Sequence, residues 1–190
     1  MKDNKVREMT HDEIADFAAI YIRSHGFPVS FSNMTSVNLR EQPDVLGLDI
    51  LGSSFLGEVK ISKSDFLADK KKEFRNNGKG VGDFRVYITP KGLLNPQEIP
   101  YGWMLWEVHG KTKPIMKIIK GKKMTKEKQG PWIASVPTYP NTSKEEYQHF
   151  LKDYREKSYR DELMWLIQII RRCQSDGFEP NDYANNYQEK

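Results

Sequence analysis

Charge inside an apolar strand constrains this chain more than any other feature. Phe55-Leu56-Gly57-Glu58-Val59-Lys60 has the composition of a strand, and strand alternation turns Glu58 and Lys60 to the same face. Just upstream, Asp44 to Leu51 reads as a second strand opened by Pro43-Asp44. Gly52-Ser53-Ser54 supplies a turn between them, so the two strands form a hairpin. Charged side chains are seldom buried unless they are paired or bind a metal. Two carboxylates and an amine brought together suit a divalent cation, a phosphate and an attacking water. The plainer alternative is an ion pair between Glu58 and Lys60 on a solvated strand face.

The elements around the hairpin follow from local signals. Thr10 and Glu13 form a capping box, and Ile14, Phe17, Ala18, Tyr21 and Ile22 recur at helical spacing until Gly26 and Pro28. A strand is expected over 29–37. After Lys60, Ser62 or Ser64 caps a second helix carrying Phe66, Leu67 and Phe74, and Asn76-Asn77-Gly78 stops it. Strands follow over 84–89 and 103–108, with a loop over 91–100 and a short edge strand at Ile115–Ile119. Residues 129–141 read as a loop. Thr142 and Glu145 open a further capping box ahead of Tyr147, Leu151 and Tyr154. The stripe Leu163, Leu166, Ile167, Ile170 and Cys173 is expected to pack into the core, in one long helix or in two that meet near Ser158. This order predicts an α/β fold, a mixed central sheet flanked by helices with a C-terminal helical extension. It divides into a core over 1–110, a lysine-rich segment over 111–141, the helical extension over 142–176 and a disordered tail over 177–190.

At 190 residues there is enough chain for one hydrophobic core. Thirty basic residues against twenty-six acidic ones leave a net charge of +4, too small by itself to diagnose a nucleic-acid binder. Distribution is more telling: residues 110–130 hold eight lysines and one acid, Glu127. Lys60, Lys63, Lys70, Lys71, Lys72 and Arg75 form a second basic cluster. Such clusters attract polyanions, although each also fits a solvated surface. The lone Cys173 cannot close an internal disulfide, no run is long enough for a membrane span, and the N-terminus has no apolar signal core, so an intracellular, cytoplasmic protein is expected.

Hydrolysing a phosphodiester requires an activated water and relief of charge on phosphorus. A magnesium ion held by one or two carboxylates and the substrate phosphate can provide both. Asp44 and Glu58, with the Val59 backbone carbonyl as a third ligand, would meet that need. Lys60 would steady the transition state, or deprotonate water if burial lowered its pKa.

Pro43-Asp44 with Glu58-Val59-Lys60 resembles the signature of the PD-(D/E)XK nuclease superfamily. The longer pattern of residues 42–49, 57–60, 64–70 and 83–87 is similar to the MmcB-like family of DNA-repair nucleases within it. The resemblance covers roughly residues 10–108. It implies a restriction-endonuclease-like fold and Mg2+- or Mn2+-dependent cleavage of nucleic acid, DNA ahead of RNA, in repair, recombination or phage and defence processing. It carries over Asp44 and Glu58 as metal ligands and Lys60 as the catalytic lysine. Glu13 stands where some relatives place a further glutamate, although the capping box accounts for it equally well. Lys70 could reach the site or snorkel along its helix. Asp65 and Asp69 recur in the pattern, and Asp65 also suits a helix N-terminus. Lys63, Lys71, Lys72, Lys120, Lys122 and Lys123 are the expected nucleic-acid contacts, and many relatives are homodimers. The alternatives are a non-catalytic nucleic-acid-binding protein on the same fold, and a hydrolase or transferase for a phosphorylated small molecule.

Overall fold

In the computed structural model the described residues are 9–35, 39, 41–72, 75, 80–121, 141–146 and 157–177. They form helix α1 (His11–Arg23), strands β1 (Val29–Ser32), β2 (Val45–Leu48) and β3 (Ser54–Val59), and helix α2 (Lys63–Asp69). Strand β4 (Phe84–Pro90), a 3₁₀ turn (Pro96–Glu98), strands β5 (Trp103–His109) and β6 (Ile115–Lys120), and helix α3 (Tyr159–Ser175) complete the order. The six strands lie in sequence order in one mixed sheet. Its middle strands β3, β4 and β5 are parallel, and the pairs β1–β2, β2–β3 and β5–β6 are antiparallel.

Alternation along the strands splits the core into two layers. Val45, Phe55, Val59, Val86, Ile88 and Trp106 face α1, packed against Ile14, Ala18 and Ile22. Leu46, Leu56, Tyr87, Trp103 and Leu105 face the other way, against Phe66 of α2 and Trp165 and Ile169 of α3. Glu58 follows Leu56 onto this second face, so a carboxylate enters the α2 layer at the end of β3. Between them, Gly57 is required by crowding. A Cβ there would lie 2.9 Å from Ile88 Cδ1 and 3.0 Å from Val45 Cβ.

The α/β architecture, the hairpin and the edge strand agree with the sequence reading, and a helix begins directly after Ser158. Ser158 caps α3 by accepting the Asp161 N–H at 3.3 Å. Several boundaries differ. Strand β1 ends at Ser32 because Asn33 turns to a left-handed φ of 50° and donates its N–H to the Asp44 carbonyl. Helix α2 closes at Asp69; Phe74 and the expected Asn-Asn-Gly stop lie outside the described residues. Thr142 accepts the Gly121 N–H instead of capping a helix, and the neighbouring Ser143 takes the Glu146 N–H. Tyr147, Leu151, Tyr154, most of the loop over 129–141 and the tail beyond Gly177 also lie outside.

The largest correction concerns α3. Leu163, Leu166, Ile167 and Ile170 are exposed, and Cys173 is only half-buried. Trp165 and Ile169 face the core instead. Polar anchors set the phase of the helix: Glu162 accepts from the Ser54 hydroxyl and the Gly82 N–H, and the Trp165 indole donates to the Glu41 carbonyl at 3.3 Å.

Candidate active site

The three signature residues converge where β3 leaves the sheet. The register that pairs Val45 with Gly57 brings Asp44 level with Glu58. Asp44 Oδ2 accepts the Val59 N–H at 2.8 Å. In a strand the N–H and C=O of one residue project from the same edge, so the Val59 carbonyl is also turned towards Asp44. The next residue turns the other way, and the Lys60 N–H donates to the Ile88 carbonyl of β4 at 3.0 Å. Ser62 then caps α2 by accepting the Asp65 N–H, which folds the helix back beside the end of the strand.

Lys60 is the centre of the cluster. Its buried ammonium lies 3.1 Å from Glu58 Oε2, 3.9 Å from Asp44 Oδ2, 3.8 Å from Asp69 Oδ1 and 3.9 Å from Asp65 Oδ2. Asp65 and Asp69 are one helical turn apart on α2, which places both over the amine. Glu58, only 2% exposed, meets a second cation, with Arg75 Nη2 2.8 Å from its Oε2. Its other oxygen, Oε1, is buried without a hydrogen-bond partner.

Proton affinities follow from this packing. Burial pushes the Glu58 carboxyl up to about 7, against the pull of Arg75 and Lys60. Burial also works to lower Lys60, but Glu58, Asp69 and Asp44 outweigh it and hold the amine above its ordinary value. This corrects the expectation of a depressed lysine: Lys60 is an ammonium here, suited to stabilising charge and not to taking a proton. Burial opposes ionisation of Asp69 too, yet Arg75 and Lys72 bring it down to about 2.

Two residues of the site escaped the sequence reading. His11, the first residue of α1, places Nε2 3.3 Å from Asp44 Oδ2. The hydrogen bond with Asp44 raises it from 6.5 to about 9. Its one sequence signal was its place directly after the capping Thr10. Arg75 carried no signal beyond membership of a basic cluster. In the fold it is buried and bonded to Glu41, Glu58 and Asp69.

Other expected participants stand elsewhere. Glu13 completes the capping box, its carboxylate accepting the Thr10 N–H at 2.7 Å. Lys70 donates to the Glu98 carbonyl at 2.9 Å and lies over the Phe66 ring, the snorkelling arrangement. Lys63 pairs with Glu98 and Lys72 with Asp69, both half-exposed, and Lys71 is exposed. Lys120 does not offer its charge to a ligand, because it is buried against Glu146 at 2.9 Å and donates to the Ile99 carbonyl. Lys122 and Lys123 lie outside the described residues.

Among the described residues, no three His, Cys, Asp or Glu side chains already stand as a ready-made metal cage. Magnesium does not require one, since it keeps waters and completes its shell with substrate oxygens. The partnerless Glu58 Oε1, the adjacent Asp44 and the Val59 carbonyl make an oxygen donor set that fits this pattern.

No family model matches the chain, and no curated protein does. Among solved structures, a protein of unknown function from Silicibacter pomeroyi is similar at 18% identity and a TM-score of 0.46, over 92% of this chain and 99% of that one. Among the described residues, no helix is long and apolar enough to cross a membrane.

Proposed function

We propose that the chain is a metal-dependent nuclease that hydrolyses phosphodiester bonds, with DNA as the preferred substrate. One observation carries this reading: a strand end where Asp44, Glu58 and Lys60 converge while one buried Glu58 oxygen is left without a partner. An orphaned buried acceptor costs about 1–3 kcal/mol, so it persists best where a ligand satisfies it.

Asp44, Glu58 and the Val59 carbonyl would hold Mg2+ or Mn2+. When bound, the ion supplies charge neutralisation at the phosphate and lowers the pKa of its water. The protein's own residues do the rest. Lys60, fixed by Glu58, presents a positive group to the phosphate oxygens as charge builds in the transition state. His11, protonated beside Asp44, adds a second donor on the α1 side. Lys63 on α2, with Lys71 and Lys72 just beyond its end, would extend the positive surface along which a nucleic-acid backbone would run.

Incubation of single-stranded, double-stranded, flapped and branched DNA, and of RNA, with Mg2+ or Mn2+ tests the reading. Cutting that EDTA and Glu58→Ala both abolish supports it. Salt-sensitive binding without cutting, indifferent to chelator, would replace it with a nucleic-acid-binding role.

A further inference from the structure

Glu58 can serve as a ligand only if its carboxylate is held with one oxygen turned out. Lys60 alone does not guarantee this, because an ammonium is a point charge that leaves the plane of a carboxylate free to turn. Arg75 is different in kind. Its guanidinium is a rigid planar fork of five donors, and here it meets acids from three separate parts of the chain. Nη1 binds Glu41, ahead of β2; Nη2 lies 2.8 Å from Glu58 Oε2 on β3; Nε lies 2.8 Å from Asp69 Oδ2 on α2. Nη2 also donates to Asp69 Oδ1 at 2.8 Å, so the Asp69 contact is two-pronged.

The fork is itself immobilised. Its Cζ lies 5.4 Å over the Trp103 ring, and the Trp103 indole donates to the Arg75 carbonyl at 3.3 Å. Asp69 is further fixed by the Tyr87 hydroxyl at 3.1 Å, and Glu41 by the Val81 N–H at 2.7 Å. Glu58 Oε2 is thereby tied from two directions while Oε1 receives nothing.

We propose that Arg75 is the positioning residue of this site, its guanidinium orienting Glu58 through Oε2 so that Oε1 is the oxygen offered to a divalent cation. The inference rests on the reading of the site as a metal-dependent one. Arg75 touches neither cation nor substrate in this role and acts through Glu58.

The test uses the full chain and Mn2+ alone as the probe, with binding followed by electron paramagnetic resonance, beside thermal melting and DNA cutting across a range of metal concentrations. Arg75→Lys keeps the charge and removes the fork. It is expected to weaken Mn2+ binding about 10- to 100-fold, as loss of a partner that orients a metal ligand does. Cutting should recover in excess metal, with the KM for DNA unchanged. Folded Arg75→Lys that binds Mn2+ as tightly as the wild type overturns the proposal. If that variant fails to fold, Glu41→Gln loosens the guanidinium from its far side without touching Glu58. A several-fold weaker Mn2+ affinity there supports the proposal, and an unchanged one overturns it. A wild type that binds no Mn2+ removes the metal reading itself, whereas tight wild-type binding with unchanged variants removes only the role of Arg75.

Discussion

Strand β3 carries a buried charge cluster at each end, and the two are built to different standards. At its start, Ser54 and Asp83 meet Lys157 and Glu162. Lys157 lies 2.8 Å from Glu162 Oε2 and also pairs with Asp83, which accepts the Ser54 N–H, while the Ser54 hydroxyl donates to Glu162 Oε1. Among the described residues, no fully buried side-chain polar atom of that cluster lacks a partner. At its finish, one lysine is crowded by four carboxylates, Asp44, Glu58, Asp65 and Asp69, and a buried Glu58 oxygen is left over. A satisfied network of this kind pins elements together, here the N-terminal turn of α3 to the edge of the core. An unsatisfied one retains capacity for something not in the chain. The same strand thus supplies its own control, with a buried lysine and a buried carboxylate at each end and different completeness.

The sharpest way to break this comparison is to remove a key residue at each end. Glu58→Gln should reduce metal-dependent cutting by more than about 100-fold, beyond the loss typical of a mere supporting partner, while circular dichroism stays native. At the other end, Lys157→Met strands the buried Asp83 and the part-buried Glu162 carboxylates, and a cost of about 3–5 kcal/mol is expected. Cutting per folded molecule should not change. If Lys157→Met instead lowers turnover at constant foldedness, the division between clamp and site is wrong.

Three groups at the finishing end of β3 tie stability to pH. Folded Glu58 keeps its proton up to about pH 7, whereas the unfolded carboxyl releases it near 4.5. Its contribution to stability is therefore complete below 4.5 and lost as pH rises through 7. His11 behaves in the same sense, complete below 6.5 and lost as pH rises through about 9. Asp69 runs the other way, its contribution present above 3.8 and lost as pH falls through about 2. The melting temperature of the metal-free protein should accordingly decline from about pH 5 to pH 9. Glu58→Gln should flatten the lower half of that decline and His11→Asn the upper half. A decline that neither substitution flattens refutes the assignment to these two groups.

How much of this was legible in the residues depends on the range of the interaction. Alternation along β3 is local, so the shared face of Glu58 and Lys60 could be read directly. The hairpin that brings Asp44 level with Glu58 needed only a turn signal at Gly52. The charge state of Lys60 was only partly readable: Glu58 and Asp44 come from the hairpin itself, but Asp69 folds back from α2. Arg75 was hidden for the same reason: its three acids come from three elements. Helix α3 misled because it is apolar on two sides, and periodicity cannot choose between them. The choice was made by Ser54 and Glu41, whose bonds to Glu162 and Trp165 span more than a hundred residues of chain. Burial of Trp165 makes its truncation to alanine worth about 3–5 kcal/mol, and Leu163→Ser should cost far less.

The smallest expected effect sharpens the boundary of the site. Glu13 lies on α1 near His11, and a carboxylate so placed could be enlisted as a further ligand. Its contacts point elsewhere: the Thr10 N–H is donated to it, and Lys111 stands 3.9 Å away. Glutamine can perform the same capping duty. Glu13→Gln should therefore leave Mn2+ affinity, cutting and melting almost as they are, whereas Thr10→Ala should cost about 1 kcal/mol without touching metal affinity. A tenfold loss of Mn2+ binding in Glu13→Gln would extend the site onto α1 and make the capping box a secondary use of that residue.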